Sequence, residues 1–222
     1  MDITKYAILK KLAGGGGGGG DHADEDAIVS GTITEYTNDR VTSIGVYAFY
    51  FCQSLTSVHF PAVTSIGENA FKQCINLTSV HFPAATSIGV YAFDFCQSLT
   101  SVHFPAVTSI GYHTFNFCQS LTSADFPAVT SIDDEEVFNL CRNLTSLILR
   151  VTTQVCTLSN TNAFNNTPIK SGTGYIYVPA ALIDSYKTAT NWTTYANQFR
   201  ALESYTVDGT TTGELDPTKV NA

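Results

Sequence analysis

Val41-Thr-Ser-Ile-Gly-Val-Tyr-Ala-Phe-Tyr-Phe-Cys-Gln-Ser-Leu-Thr-Ser-Val-His-Phe-Pro-Ala62 is a 22-residue stretch that starts again, with substitutions, at Val63, Ala85, Val107 and Val129. A period of this length marks a solenoid, whose units are too small to bury their own apolar faces and fold by stacking on one another. Comparing the units separates their columns. Ile44, Ala48, Phe49, Cys52, Leu55, Val58 and Phe60 stay apolar, and the third unit repeats them as Ile88, Ala92, Phe93, Cys96, Leu99, Val102 and Phe104. Leu55, Val58 and Phe60 have the spacing of a leucine-rich repeat strand, with Thr56, Ser57 and His59 outward. Pro61 removes the next backbone donor and ends that strand. Ala48, Phe49 and Cys52 fall at helical spacing after Gly45, a residue able to supply a positive-φ turn. The expected fold is an α/β repeat solenoid with a parallel β-sheet on one face, short helices or turns on the other, and amino- and carboxy-terminal caps.

The pattern L-T-S-V-x-F-P followed by V-T-S-I-G-x-x-A-F-x-x-C, over roughly residues 41–150, resembles the BspA-like class of leucine-rich repeats. That resemblance implies a non-enzymatic recognition module of the kind found on bacterial and protist surfaces, with short forms among phage and prophage structural genes. Residues 1–20, MDITKYAILKKLA and seven glycines, are similar to the amino termini of short repeat proteins encoded among phage tail genes. The first segment lacks the apolar core and cleavage site of a secretory signal, and the glycine run is not followed by the Gly-Lys-Ser/Thr of a phosphate loop. The leading expectation is therefore a virion-associated module, tethered through residues 1–20 to a larger assembly and presented to a host surface protein or glycan. The alternatives are a bacterial cell-surface adhesin fragment and a passive structural spacer.

A net charge of −8 argues against nucleic acid or an anionic membrane as partner, since both need clustered Lys and Arg, and no apolar run is long enough for membrane insertion. Between Val41 and Ile132 the charged residues are Glu68, Lys72, Asp94 and Asp125, so the repeat surface is Ser, Thr, Gln, Asn, His and aromatic. Cys52, Cys74, Cys96, Cys118 and Cys141 share one column. A core-facing column reads as a ladder of small buried thiols, although strands ~4.8 Å apart also lie within disulfide range.

Residues 21–40 read as the amino-terminal cap: an acidic spacer, DHADED, and then an alternating segment supplying an edge strand. In the fifth unit Asp133 replaces the repeat glycine, with the left-handed conformation within its tolerance, and DDEE at 133–136 reads as an exposed acidic loop. Residues 151–205 read as a degenerate repeat and an α/β cap. In it Tyr175–Pro179 forms a strand, 180–188 a helix, and Trp192, Tyr195, Phe199 and Leu202 one face of a second helix. Residues 206–222 read as a flexible tail.

Two surfaces offer contact residues. His59, His81, His103 and Asp125 form one outward column on adjacent strands. Two such imidazoles could chelate zinc or nickel, but on an open sheet flanked by Ser and Phe the plainer reading is a solvated ladder, and no metal site is assigned. Positions 46, 47 and 50 vary between units, as Val-Tyr-Tyr, Glu-Asn-Lys, Val-Tyr-Asp and Tyr-His-Asn, which makes Tyr47, Tyr50, Tyr91, Tyr112 and His113 candidates for recognition. A triad needs three different roles held once, which a repeated Ser-Val-His-Phe does not supply. With no phosphate loop, dinucleotide fingerprint or HExxH, neither catalysis nor a cofactor is expected.

Overall fold

The computed structural model describes residues 34–133 and 135–202, together with the backbone of strands at 204–207 and 210–214. The leader, the glycine run and the first part of the amino-terminal cap lie outside the described residues. Each 22-residue unit is one coil carrying two short strands. The first coil holds β2 (Ser43–Ile44) and β3 (Ser57–His59); β4 (Ser65–Ile66) and β5 (Ser79–His81) follow in the second, β6 (Ser87–Ile88) and β7 (Ser101–His103) in the third. The fourth coil holds β8 (Ser109–Ile110) and β9 (Ser123–Phe126), the fifth β10 (Ser131–Ile132) and β11 (Ser146–Leu149). The strands that pair from coil to coil do so in parallel and in register, so Val58 lies beside Val80 and Ile44 beside Ile66. The longer strands form two runs, β1-β3-β5 and a five-stranded sheet that begins at β7. At the junction of these runs Val80 and Ile88 are only partly buried, while most of their column mates are fully enclosed.

The segment read as a short helix is a run of turns. Ala48 N–H donates to Gly45 O, Tyr50 N–H to Tyr47 O and Cys52 N–H to Phe49 O, while Tyr47 and Phe51 have φ of 59° and 62°. A left-handed residue every fourth position breaks a helix, and it frees alternate N–H groups to point along the stack. Tyr47, Phe49 and Phe51 thus donate to Glu68 O, Ala70 O and Lys72 O of the next coil. The repeat glycine does not supply the positive φ. A Cβ on Gly67 would fall 2.7 Å from Gly45 C, and one on Gly89 2.5 Å from Glu68 N, so glycine is present for close approach of stacked backbones. Asp133 likewise is not left-handed; its N–H donates to Ile110 O.

Identical side chains in register build the core. Phe49, Phe71, Phe93, Phe115, Phe138 and Phe164 stack face to face, with centroids 4.9 to 5.6 Å apart. Phe60, Phe82, Phe104 and Phe126 form a second stack. The cysteines are free, buried thiols, and from the second coil to the fifth each donates to the phenylalanine carbonyl of the coil before: Cys74 to Phe49 O at 3.0 Å, Cys96 to Phe71 O at 3.2 Å, Cys118 to Phe93 O at 3.2 Å and Cys141 to Phe115 O at 3.0 Å. A small side chain with a weak donor fits there. Threonines act likewise outside, Thr78 Oγ1 donating to Thr56 O and Thr86 Oγ1 to Thr64 O.

At the amino-terminal end β1 (Glu35–Thr37) pairs with β3, and Tyr36 packs on Phe49 and Phe60. At the other end the degenerate unit forms a sixth coil. It consists of β12 (Thr157–Leu158), a 3-10 turn at Thr161–Phe164, the one-turn helix α1 (Pro168–Ser171) capped by Thr167 and Gly172, and β13 (Tyr175–Pro179). A 3-10 turn at Ala180–Leu182 leads into α2 (Ile183–Thr188). The expected second helix is absent: Trp192–Tyr195 is a 3-10 turn, and Phe199–Leu202 is strand β14, parallel to β13. Trp192, Tyr186 and Tyr195 cover the last coil, with Trp192 Nε1 donating to Cys156 O at 2.6 Å, Tyr186 Oη accepting from Cys156 N–H and Tyr195 Oη donating to Thr161 O. Beyond β14, β15 (Ser204–Val207) pairs antiparallel with β16 (Thr210–Glu214), within the stretch expected to be a flexible tail and just before it.

Candidate functional site

The turn segments line one face of the stack. Tyr47, Asn69, Tyr91, His113 and Glu136 occupy one left-handed column there, and Phe51, Gln73, Phe95, Phe117 and Leu140 another. Among the described residues the exposed large hydrophobic side chains are Val46 (43%), Tyr47 (44%), Phe51 (52%) and Val90 (37%), all on this face. Tyr50 meets Tyr47 edge-on at 5.6 Å, which makes one aromatic cluster in the first coil. Tyr91, Tyr112 and His113 make another: Tyr112 stacks on His113 at 4.0 Å and Tyr91 meets both edge-on. Lys72 Nζ lies 4.4 Å from the Tyr91 ring centroid, and His113 Nε2 is 2.6 Å from Glu136 Oε2. The second coil, with Glu68, Asn69, Lys72 and Gln73, is a polar break between the two clusters.

The column of Tyr50 is not free throughout. Asp94 and Asn116 are buried, and an amide ladder follows the stack: Lys72 Nζ pairs with Asp94 Oδ2 at 2.9 Å, and Asn116, Asn139 and Asn166 each donate to the residue one coil earlier. Variation between units at this position is polar packing rather than freedom. The sequence reading also passed over Phe51, Phe95 and Phe117. Gln73 in their column is the signal that the position faces outward, and Phe95 and Phe117 stack at 4.4 Å.

On the sheet face His59, His81 and His103 are exposed, but they divide. His59 and His81 stack with centroids 4.5 Å apart and planes 1° from parallel. His103 Nδ1 turns to Asp125 Oδ2 at 3.1 Å, and Arg150 Nε donates to Asp125 Oδ1 at 3.0 Å. Burial, then the neighbouring His59 and His103, hold the His81 pKa below its ordinary value. The described residues hold no group of three or more His, Cys, Asp or Glu side chains placed to hold a metal ion.

The BspA type leucine rich repeat region, in 6 copies, matches residues 31–85 and 64–179. This chain belongs to the BspA-type leucine-rich repeat family. Its repeats are those of binding modules that are typically non-catalytic. Three solved structures are similar to this BspA-type chain. A leucine rich repeat protein of T. pallidum is 25% identical, with a TM-score of 0.49, over 68% of this chain and 81% of its own. A leucine rich cell surface protein of Faecalibacterium prausnitzii A2-165 is 23% identical, with a TM-score of 0.50, over 76% of this chain and 48% of its own. The pneumococcal vaccine antigen PcpA is 14% identical, also with a TM-score of 0.50, over 77% and 42%. The BspA-type chain thus aligns with about half the length or less of the latter two, and shares their fold. No curated protein sequence matches it.

Proposed function

We propose that this chain is the recognition module of a bacterial cell-surface protein, and that it grips a host surface protein or glycan through its turn face. The observation that carries the reading is that, among the described residues, the exposed large hydrophobic side chains are confined to that face. Aromatic rings fixed on a rigid backbone lose little entropy on contact, which is why recognition surfaces favour them. The family and the fold shared with a cell-surface protein of Faecalibacterium prausnitzii support the location. The expectation of a virion-associated protein finds no support in these matches; its adhesin alternative does. The test uses Tyr47→Asn with Phe51→Asn, because asparagine tolerates the left-handed backbone and leaves the coil intact. On a glycan array and on host-cell surface proteins, wild type is expected to bind and the double variant to lose most of that binding. Silence of the wild type on both would make the chain a spacer.

A further inference from the structure

The sheet face concentrates groups that take positive charge, on a chain whose net charge is −8. Its outward positions are Thr37, His59 and His81 along one run of paired strands, and His103, Asp125, Ile148, Tyr177 and Arg200 along the next, with Ile148 covered and the three histidines exposed. Asp125, the one carboxylate among them, is already engaged by Arg150 on one side and His103 on the other. Among the described residues, the other titratable groups on this face are Tyr177 in the column, Glu35 at the far edge, beside Ser57, and Tyr175, whose ring lies 4.1 Å from the Arg200 guanidinium. Tyrosines stay neutral below about pH 10. Acid therefore moves this surface in one direction, towards positive charge. Two imidazolium rings stacked as His59 and His81 are would repel each other, and an anion lying over the column would relieve that repulsion.

We propose that the sheet face is a second binding surface, for a linear anionic polysaccharide carrying carboxylate or sulfate groups, engaged as the histidine column takes up protons. The proposal rests on the reading of the chain as a binding module and is independent of the turn face. A polymer suits the surface because the groups recur over three successive coils: Ser57 and Ser79 stand in register beside His59 and His81, and Ser101 and His103 follow in the next coil. An acidic protein suits it less, since among the described residues this face presents none of the exposed large hydrophobic side chains that anchor protein interfaces.

The experiment measures binding of the full chain to immobilised heparin and polygalacturonate at about pH 5.5 and about pH 8, with poly-glutamate and oligo-dT as competing arms. Binding to one of the polysaccharides is expected to be at least about tenfold tighter at the lower pH, weakened by salt, and lost in His59→Asn with His103→Asn. It is expected to survive in Tyr47→Asn with Phe51→Asn, which separates this surface from the turn face. In wild type the polymer is expected to shift the imidazole resonances of His59 and His103, a readout that does not depend on how a variant folds. Equal binding at both pH values, unmoved imidazole signals, retention in the histidine variant, or a preference for poly-glutamate or oligo-dT would each overturn the proposal.

Discussion

Tyr47, Asn69 and Tyr91 hold a conformation that costs an ordinary residue about 1 kcal/mol, and Phe51, Gln73 and Phe95 hold it again four residues later. Ladder hydrogen bonds to the next coil maintain it. Gln73, with φ of 63°, tests the cost directly. Gln73→Gly is expected to leave stability unchanged or raise it by up to about 1 kcal/mol, and Gln73→Val to lower it, measured by urea unfolding. His81 supplies a pH test at the same scale. Its folded pKa lies below the ordinary value of about 6.5, so an unfolded chain takes the proton first. Its contribution to stability is complete above about pH 6.5 and is lost as pH falls below that towards the folded pKa. The melting temperature is expected to drop between about pH 7.5 and about pH 5.5, and to drop less in His81→Asn.

Between elements, the distance from coil to coil decides what a residue is for. Gly89 and Gly111 share a column and look interchangeable. A Cβ on Gly89 would enter the backbone of Gly67 and Glu68, whereas one on Gly111 meets only Val90 Cγ1 at 3.7 Å. Gly89→Ala is expected to cost more than about 2 kcal/mol and Gly111→Ala less than about 1 kcal/mol, compared by chemical denaturation. Equal effects would mean that the coils relax around the added methyl. Burial raises the pKa of Cys52 and Cys156 to about 12, and those of Cys74, Cys96 and Cys118 also rise. In the folded protein these thiols are expected to be inert to a disulfide reagent at neutral pH, and to react together once denaturant is added. Early reaction of one thiol would mark a coil that opens locally.

Across the whole molecule, each coil touches mainly its neighbours, so stability is a sum of units and interfaces. Deleting residues 85–106, one full period, joins Ala84 to Val107 with the register intact. The shortened chain is expected to fold cooperatively with a lower midpoint, whereas deleting half a period is expected to abolish folding, as circular dichroism melts would show. The same additivity keeps the two faces separate. Aromatic clusters on the turn side and the histidine column on the sheet side share a core yet no side-chain contact, so variants of one are expected to leave the other intact.

The period, the apolar columns, the Ser-Val-His strand and its proline stop were all readable from residues, because a solenoid writes each spatial neighbour one period away in the chain. The conformation of Val46 to Phe51 was not. Ala48, Phe49 and Cys52 have the same spacing in a helix and in a run of i to i+3 turns, and the hydrogen bonds that choose between them come from the next coil. Trp192, Tyr195, Phe199 and Leu202 posed the same ambiguity, which pairing of β14 with β13 resolved into a turn and a strand. Residue types alone placed Asp94 and Asn116 in a variable column, and the coil spacing turned that column into a buried amide ladder. Four residues in one outward column were legible too. That two of them stack while His103 turns to Asp125, the carboxylate that Arg150 of the fifth coil also engages, came only with the tertiary contacts, which have no local signature.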